Sequence, residues 1–304
     1  MPRLTANDFH PAVMKLFDQY VHGRIDRRGF LSGAAKYAVG GVSATMLLDM
    51  LKPRYAEATQ IAKDDPRVQA KLVEYNSPEG SGKMRGYLAM PGKMTGKLPA
   101  VLVVHENRGL NPHIEDIARR LAVDNFIAFA PDALFPLGGY PGDDDKAAEL
   151  FGKLDHAKTR MDFLAGALFM KALPACSGKY GVVGFCYGGG IANVLATKLP
   201  DLGAAVPFYG AAPRKEDVRK IKATLLINYA SDDAGTDAMW PAYEAALKAA
   251  GVKYEMYIYP DTVHGFNNDT TPRFNEKAAK LAWERTMGLF NRSEERRVGK
   301  ECRL

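Results

Sequence analysis

The sequence predicts an α/β protein with a mostly parallel central sheet covered by helices on both faces. Three observations carry this. Continuous apolar runs recur at residues 98–105, 126–130, 179–185, 204–209 and 223–229, as strands buried on both faces require. Helix-period segments alternate with these runs, the pattern of parallel crossover connections. One strand then enters Gly184-Phe185-Cys186-Tyr187-Gly188, a sharp turn with a nucleophile-type side chain at its tip, and a helix follows. That spacing is the G-x-S-x-G elbow with cysteine at the nucleophile position. Glycines two before and two after the tip have a mechanical cause: side chains there would collide in so tight a turn.

In chain order, residues 71–75 and 84–90 read as an antiparallel hairpin joined at Pro78-Glu79-Gly80-Ser81-Gly82. Strand 98–105 ends in Glu106-Asn107-Arg108-Gly109, and a helix covers 112–123. After strand 126–130, residues 131–145 form a Pro/Gly loop beyond ordinary connection length, a sign of function. Helices occupy 146–173 with a break near Asp155. Beyond the elbow come strands 204–209 and 223–229, helix 237–250, strand 254–259 and a closing helix over 272–290.

Both ends read as lying outside this fold. Residues 1–58 hold a twin-arginine pattern, Asp26-Arg27-Arg28-Gly29-Phe30-Leu31, then a mildly apolar run and Ala56-Glu57-Ala58, an A-x-A-like cleavage site. The expectation is a Tat-type leader read by the export machinery, which puts the protein in the periplasm; the long stretch before the arginines departs from such signals. Residues 59–291 are then the α/β domain. The tail, 292–304, reads as disordered and resembles the translation of a sequencing adapter. The net charge of +6 comes from arginines and lysines concentrated at these two ends, which argues against nucleic-acid binding. No stretch is long and apolar enough for a stable membrane span. Cys176, Cys186 and Cys302 have neither metal-ligand nor disulfide-framework spacing, so no metal is expected.

A cysteine nucleophile needs a base and a group that orients the base, and in this topology the order is nucleophile, acid, histidine. His264 is the one histidine after Cys186. The acid belongs just past strand 223–229, where Asp232 and Asp233 sit; Asp233 reaches the loop tip and is preferred, with Asp232 the fallback. Backbone N–H groups of Asn107 and Tyr187 are candidates for an oxyanion hole. Glu106 is placed to accept a hydrogen bond from the resting thiol.

Residues 65–290 resemble the dienelactone hydrolase family of α/β hydrolases. The resemblance rests on His105-Glu106 with Gly109, Pro131-Asp132, Gly184-Phe185-Cys186-Tyr187-Gly188-Gly189, Asp233 and His264-Gly265-Phe266. It implies an α/β-hydrolase fold, a Cys186–His264–Asp233 triad with Glu106 holding the nucleophile, no cofactor, and hydrolysis of an ester or lactone; a monomer is expected. Characterised dienelactone enzymes hold the substrate carboxylate with arginines in the loop after the Pro-Asp pair and shortly after the histidine. Here neither stretch has one. Phe135, Leu137 and Tyr140 form instead an expected apolar wall, with Phe266 beside the base and Arg108 the only nearby cation. Neutral esters are therefore expected to outcompete anionic ones. The competing reading is a non-catalytic binding or thiol-redox protein on the same fold; no triad member is missing and no CxxC is present, which weighs against both.

Overall fold

The structure, a computed structural model, describes residues 3–301, with side chains described through residue 292. Four short helices come first: α1 (Pro11–Val21), α2 (Arg27–Ala34), α3 (Ala44–Leu51) and α4 (Tyr55–Ala58). There follow β1 (Val68–Ser77), β2 (Gly82–Pro91), β3 (Leu98–Val104), α5 (Pro112–Val123), β4 (Ile127–Pro131), α6 (Asp144–Phe151) and α7 (His156–Lys171). The second half holds β5 (Cys176–Phe185), α8 (Tyr187–Lys198), β6 (Ala204–Phe208), β7 (Thr224–Asp232), α9 (Ala234–Ala249), β8 (Tyr254–Val263) and α10 (Glu276–Glu301).

All eight strands form one sheet in the order β1-β2-β4-β3-β5-β6-β7-β8. The β1–β2 hairpin is antiparallel and β2 pairs antiparallel with β4; every later pairing is parallel. The chain reverses direction of growth between β3 and β5, so the carboxyl ends of these strands open the crevice where such sheets place their sites. Glu106 and Asn107 leave one strand there and Cys186 the other.

Strand β3 shows why its sequence is apolar throughout. Ala100, Leu102 and Val104 pack on one face with Phe163 of α7 and Ile191 of α8. Val101 and Val103 pack on the other with Ile114 and Leu121 of α5 and Phe290 of α10. The break near Asp155 is a helix cap: its carboxylate accepts from the N–H groups of Ala157 and Lys158 and starts α7.

The N-terminal residues are part of the folded body. Phe9, Val13, Met14, Phe17, Phe30, Ala34, Leu48 and Leu51 bury one another in a separate small core. Its helices carry ordinary start signals: Pro11 at the head of α1, and Asp26 and Ser43 capping α2 and α3. A connecting segment is stitched to α5, with the N–H groups of Gln60 and Ile61 donating to Asp116 at 3.1 and 2.9 Å. Sequence reading set residues 1–58 outside the fold because small residues and the arginine pair dominate it locally. The apolar residues that pack are spread thinly over three short helices. At the other end, α10 runs on to Glu301 through a stretch expected to be disordered; Glu, Arg and Lys propagate a helix readily once it is started. Cys302 lies outside the described residues. Among those residues no helix is long and apolar enough to cross a membrane.

Candidate active site

Cys186 sits at the tip between β5 and α8 with φ 55° and ψ −114°, a conformation costly for a residue with a side chain. The surrounding glycines hold it there. A Cβ on Gly184 would stand 2.0 Å from the Gly188 carbonyl oxygen, and one on Gly188 would stand 2.2 Å from that of Val104. Both are backbone collisions that no rotamer relieves. The turn thus drives α8 against β3 and puts the sulfur above the switch point. Tyr187 is the first residue of α8, so its N–H is among those without an intrahelical acceptor. Its ring packs edge-on to Phe151 at 4.8 Å, away from the sulfur's neighbours.

His264 follows β8. Its Nδ1 lies 2.6 Å from Asp233 Oδ2. Asp233 also caps α9, its other oxygen accepting from the Thr236 N–H at 3.5 Å. A helix start therefore fixes the carboxylate that fixes the imidazole. Asp232, the last residue of β7, is exposed and makes no such contact. The ring of Tyr209 packs on His264 at 4.8 Å. Burial pushes the Cys186 thiol up, but the charge of His264 and hydrogen bonds with His22 and His264 outweigh it and bring the thiol down to about 6. Burial pushes His264 down, while the thiolate and Asp233 more than reverse this and raise it to about 9. The site favours thiolate with imidazolium.

Sequence reading missed His22. It ends α1, and its Nε2 lies 3.7 Å from Cys186 Sγ and 3.3 Å from His264 Nε2. Val21 beside it accepts hydrogen bonds from Asn107 Nδ2 at 2.7 Å and from an Arg108 guanidinium nitrogen at 3.2 Å. The N-terminal helices thus cover the crevice, and their contact with the sulfur spans 164 residues of sequence. The available signal was local: a capped amphipathic helix with Val13, Met14 and Phe17 on one face, inside the supposed leader.

Glu106 lines the same crevice, but the hydrogen bond expected from the thiol does not form. Glu106 Oε2 accepts instead from Asn268 Nδ2 at 2.8 Å, and His22 takes the place beside the sulfur. The crevice spans about 600 Å³ including the space open to solvent, and is lined by Glu106, Asn107, Arg108, Cys186, His264 and Arg273 among others.

Of the expected substrate-contacting residues, only Arg108 reaches it. Phe135 stacks under the Arg85 guanidinium at 4.7 Å, and Leu137 points outward, 40 % exposed. Tyr140 donates to Asp144 at 2.8 Å and packs on Tyr55. Phe266 is fully buried among Tyr259, Tyr209 and Phe208. The end of the loop meets the N-terminal helices at the rim of the crevice: Tyr55 donates to Asp144, and Tyr20 and Arg27 both engage Asp145. Arg273, too far past His264 to be counted from the sequence, supplies a second cation. Gly265, at φ 88°, makes room for it, since a Cβ there would meet the guanidinium carbon at 2.9 Å. Its Nε is buried with no hydrogen-bond partner. With Lys52 of the N-terminal segment also on the crevice, the expectation of a site with one cation is corrected to three.

His22, Cys186 and His264 also form a cluster of metal-ligating type, their ligand atoms all within 4.8 Å of one another.

A parallel sheet with a cysteine elbow at its switch point, and a histidine and carboxylate on the following loops, defines an α/β hydrolase. The dienelactone hydrolase family profile matches residues 84–293, and a second profile, YqhI-like, matches residues 1–38. The chain is 57% identical over 114 residues to "Putative hydrolase fragment YghX" of Escherichia coli (strain K12), covering 38% of this chain and 97% of that one. It is 32% identical over 259 residues to "Putative carboxymethylenebutenolidase" of Saccharolobus solfataricus, covering 73% and 98%. Among solved structures, a "Putative Dienelactone Hydrolase" from Klebsiella pneumoniae superposes with a TM-score of 0.65 at 29% identity, covering 73% and 99%. The chain belongs to the dienelactone hydrolase family and is a hydrolase of the ester-hydrolysing type.

Proposed function

We propose that the protein hydrolyses small esters or lactones through a Cys186–His264–Asp233 triad without a cofactor. The observation that carries this is the 2.6 Å contact between His264 and Asp233 beside a cysteine held at φ 55°. The Cys186 thiolate attacks the carbonyl carbon, and the oxyanion forms against the N–H groups of Tyr187 and Asn107. Collapse expels the alcohol, which takes a proton from the His264 imidazolium, and leaves an acyl thioester. His264, now neutral, removes a proton from water, and the hydroxide attacks the thioester to restore the thiolate and release the acid. Asp233 keeps the ring's Nδ1–H pointed at itself and Nε2 toward the reaction. A substrate must displace the end of α1 from the sulfur, so the N-terminal cover has to move during turnover.

The crevice is lined by three cations, Lys52, Arg108 and Arg273, and by three carboxylates, Glu106, Asp144 and Asp145; Lys52 faces Asp145 at 3.9 Å, so an anionic acyl group, in place of the neutral one expected from the loop, has Arg273 as its partner. Arg108 already donates to Val21 and Asn107 carbonyls, whereas the Nε of Arg273 has no partner. Steady-state hydrolysis of an aryl ester by wild type and Cys186→Ala tests the chemistry. The variant should fall at least ~100-fold in kcat; near wild-type turnover would remove the thiol mechanism.

A twin-arginine export address in residues 26–31 is a separate proposal. The packing of residues 9–51 over the site supports retention of this segment in the working enzyme, rather than its loss after Ala58.

A further inference from the structure

Three electron-rich atoms converge at the end of α1: Cys186 Sγ, His264 Nε2 and His22 Nε2. Each imidazole has its other nitrogen engaged. His264 Nδ1 faces Asp233 at 2.6 Å, and His22 Nδ1 lies 2.7 Å from the Asp18 carbonyl and 3.1 Å from its carboxylate. Both rings therefore donate at Nδ1 and turn Nε2 toward the same point. The two Nε2 atoms lie 3.3 Å apart beside the thiolate, so once their protons are displaced all three atoms offer lone pairs to one cation. A proton can bridge one pair of these atoms; a metal ion engages all three.

The spacing favours a particular ion. Zinc bonds to thiolate at about 2.3 Å and to imidazole at about 2.05 Å, so a tetrahedral site has ligand edges of about 3.3 Å between nitrogens and about 3.6 Å between nitrogen and sulfur. The observed edges are 3.3 Å between the two Nε2 atoms and 3.7 Å from His22 Nε2 to the sulfur. The third edge, sulfur to His264, lies within 4.8 Å. Two imidazoles and a thiolate form a borderline-soft donor set that suits Zn²⁺ and disfavours Mg²⁺ and Ca²⁺. The oxygens of Asp233 and of residue 18 behind the rings are the outer support that zinc-bound histidines carry. Cys186 and His264 both line the crevice, which leaves room for water as a fourth ligand.

We infer that His22, Cys186 and His264 bind one Zn²⁺ ion, tying the N-terminal segment to the nucleophile and its base. Binding releases to solvent the Nε2 protons carried by the imidazoles and forms one Zn–S and two Zn–N bonds, with no change in oxidation state. The ion occupies both the nucleophile and the base, so hydrolysis stops until it leaves. This inhibitory consequence rests on the proposed triad; the binding does not. Under this inference the segment over the crevice is a metal-dependent lock.

The test uses the full chain, stripped with a chelator and titrated with Co²⁺ as a spectroscopic probe. A 1:1 complex with a thiolate-to-cobalt charge-transfer band and tetrahedral d–d bands, bleached by one equivalent of Zn²⁺, is the expected result. His22→Ala and Cys186→Ser should each lose the charge-transfer band while keeping the wild-type circular dichroism spectrum. Asp18→Asn should weaken Co²⁺ binding about 10-fold or more. Zn²⁺ should inhibit wild-type ester hydrolysis, and His22→Ala should need at least ~100-fold more Zn²⁺ for half-inhibition. Absence of the band in wild type, or its survival in folded His22→Ala, overturns the inference and leaves a proton-bridged cluster. A wild type that binds Co²⁺ in this way yet hydrolyses no ester would sink the triad and leave the metal site standing.

Discussion

His105 should set the acid limit of this fold. It is fully buried at the end of β3, with Nδ1 donating to the Glu106 carbonyl at 2.5 Å and Nε2 accepting from the Ala133 N–H at 3.2 Å. Both ring nitrogens are satisfied in the neutral tautomer. A second proton would turn the acceptor into a donor facing another donor. Burial pushes the group from 6.5 down to about 4, against the pull of the Glu106 carbonyl and carboxylate. The sign follows directly. Between pH 6.5 and 4 the unfolded chain binds this proton and the folded chain does not, so stability present above pH 6.5 is lost on acidification. Two and a half pH units correspond to about 3 kcal/mol in full, of which about 2 kcal/mol is lost by pH 5. His105→Gln keeps a donor and an acceptor without the titration. Urea unfolding followed by circular dichroism at pH 7.5 and pH 5 gives the readout. Asp132, which burial pushes up to about 6, titrates in the same window, so the difference between wild type and variant is the quantity to compare. Wild type should lose about 2 kcal/mol more than His105→Gln over that interval. Parallel losses in the two proteins would show that His105 is not held neutral.

Three further outcomes follow from the site. Asp233→Asn should lower kcat/KM at least ~100-fold, because asparagine can donate to Nδ1 and favour the wrong tautomer, whereas Asp232→Asn at its exposed position should stay within about 3-fold of wild type; the reverse order would move the acid by one residue. Arg273→Ala should cost an anionic ester at least ~10-fold in kcat/KM relative to a neutral ester of equal size, since it removes a partner for a desolvated carboxylate; equal losses on both would deny it that role. N-terminal sequencing of protein recovered from cell fractions should find residues before Ala58 still attached to active enzyme. Full activity in protein beginning at residue 59 would make the cover dispensable.

The central sheet was readable because its signal is local and redundant. Each strand in the run from residue 98 to residue 229 is apolar on both faces, and α5, α6 and α7 each begin on a side-chain cap. The elbow was readable for the same reason: backbone collisions restrict Gly184 and Gly188 whatever surrounds them. The pairing of His264 with a residue of the Asp232–Asp233 couple was readable from chain order, and choosing between them needed only the end of β7. What stayed hidden depends on contacts between distant segments. His22 is an unremarked histidine until α1 is docked on the crevice. Glu106 trades the expected thiol for Asn268, a partner 162 residues away. Arg273 arrives through a loop whose path Gly265 permits. A long loop suggests function, yet Phe135 packs on Arg85, Leu137 faces outward and Tyr140 packs on Tyr55 of α4, contacts that local sequence does not reveal.

The claim on which this account most depends is that Cys186 carries the acyl group. Rapid mixing of the metal-free protein with an activated ester, an acid quench and peptide mass spectrometry test it directly. The account predicts one added acyl mass on the peptide containing Cys186, formed faster than product release and absent from Cys186→Ala. Steady ester turnover with no acyl adduct on Cys186 at any time, or an adduct on another residue that forms at the turnover rate, would contradict it.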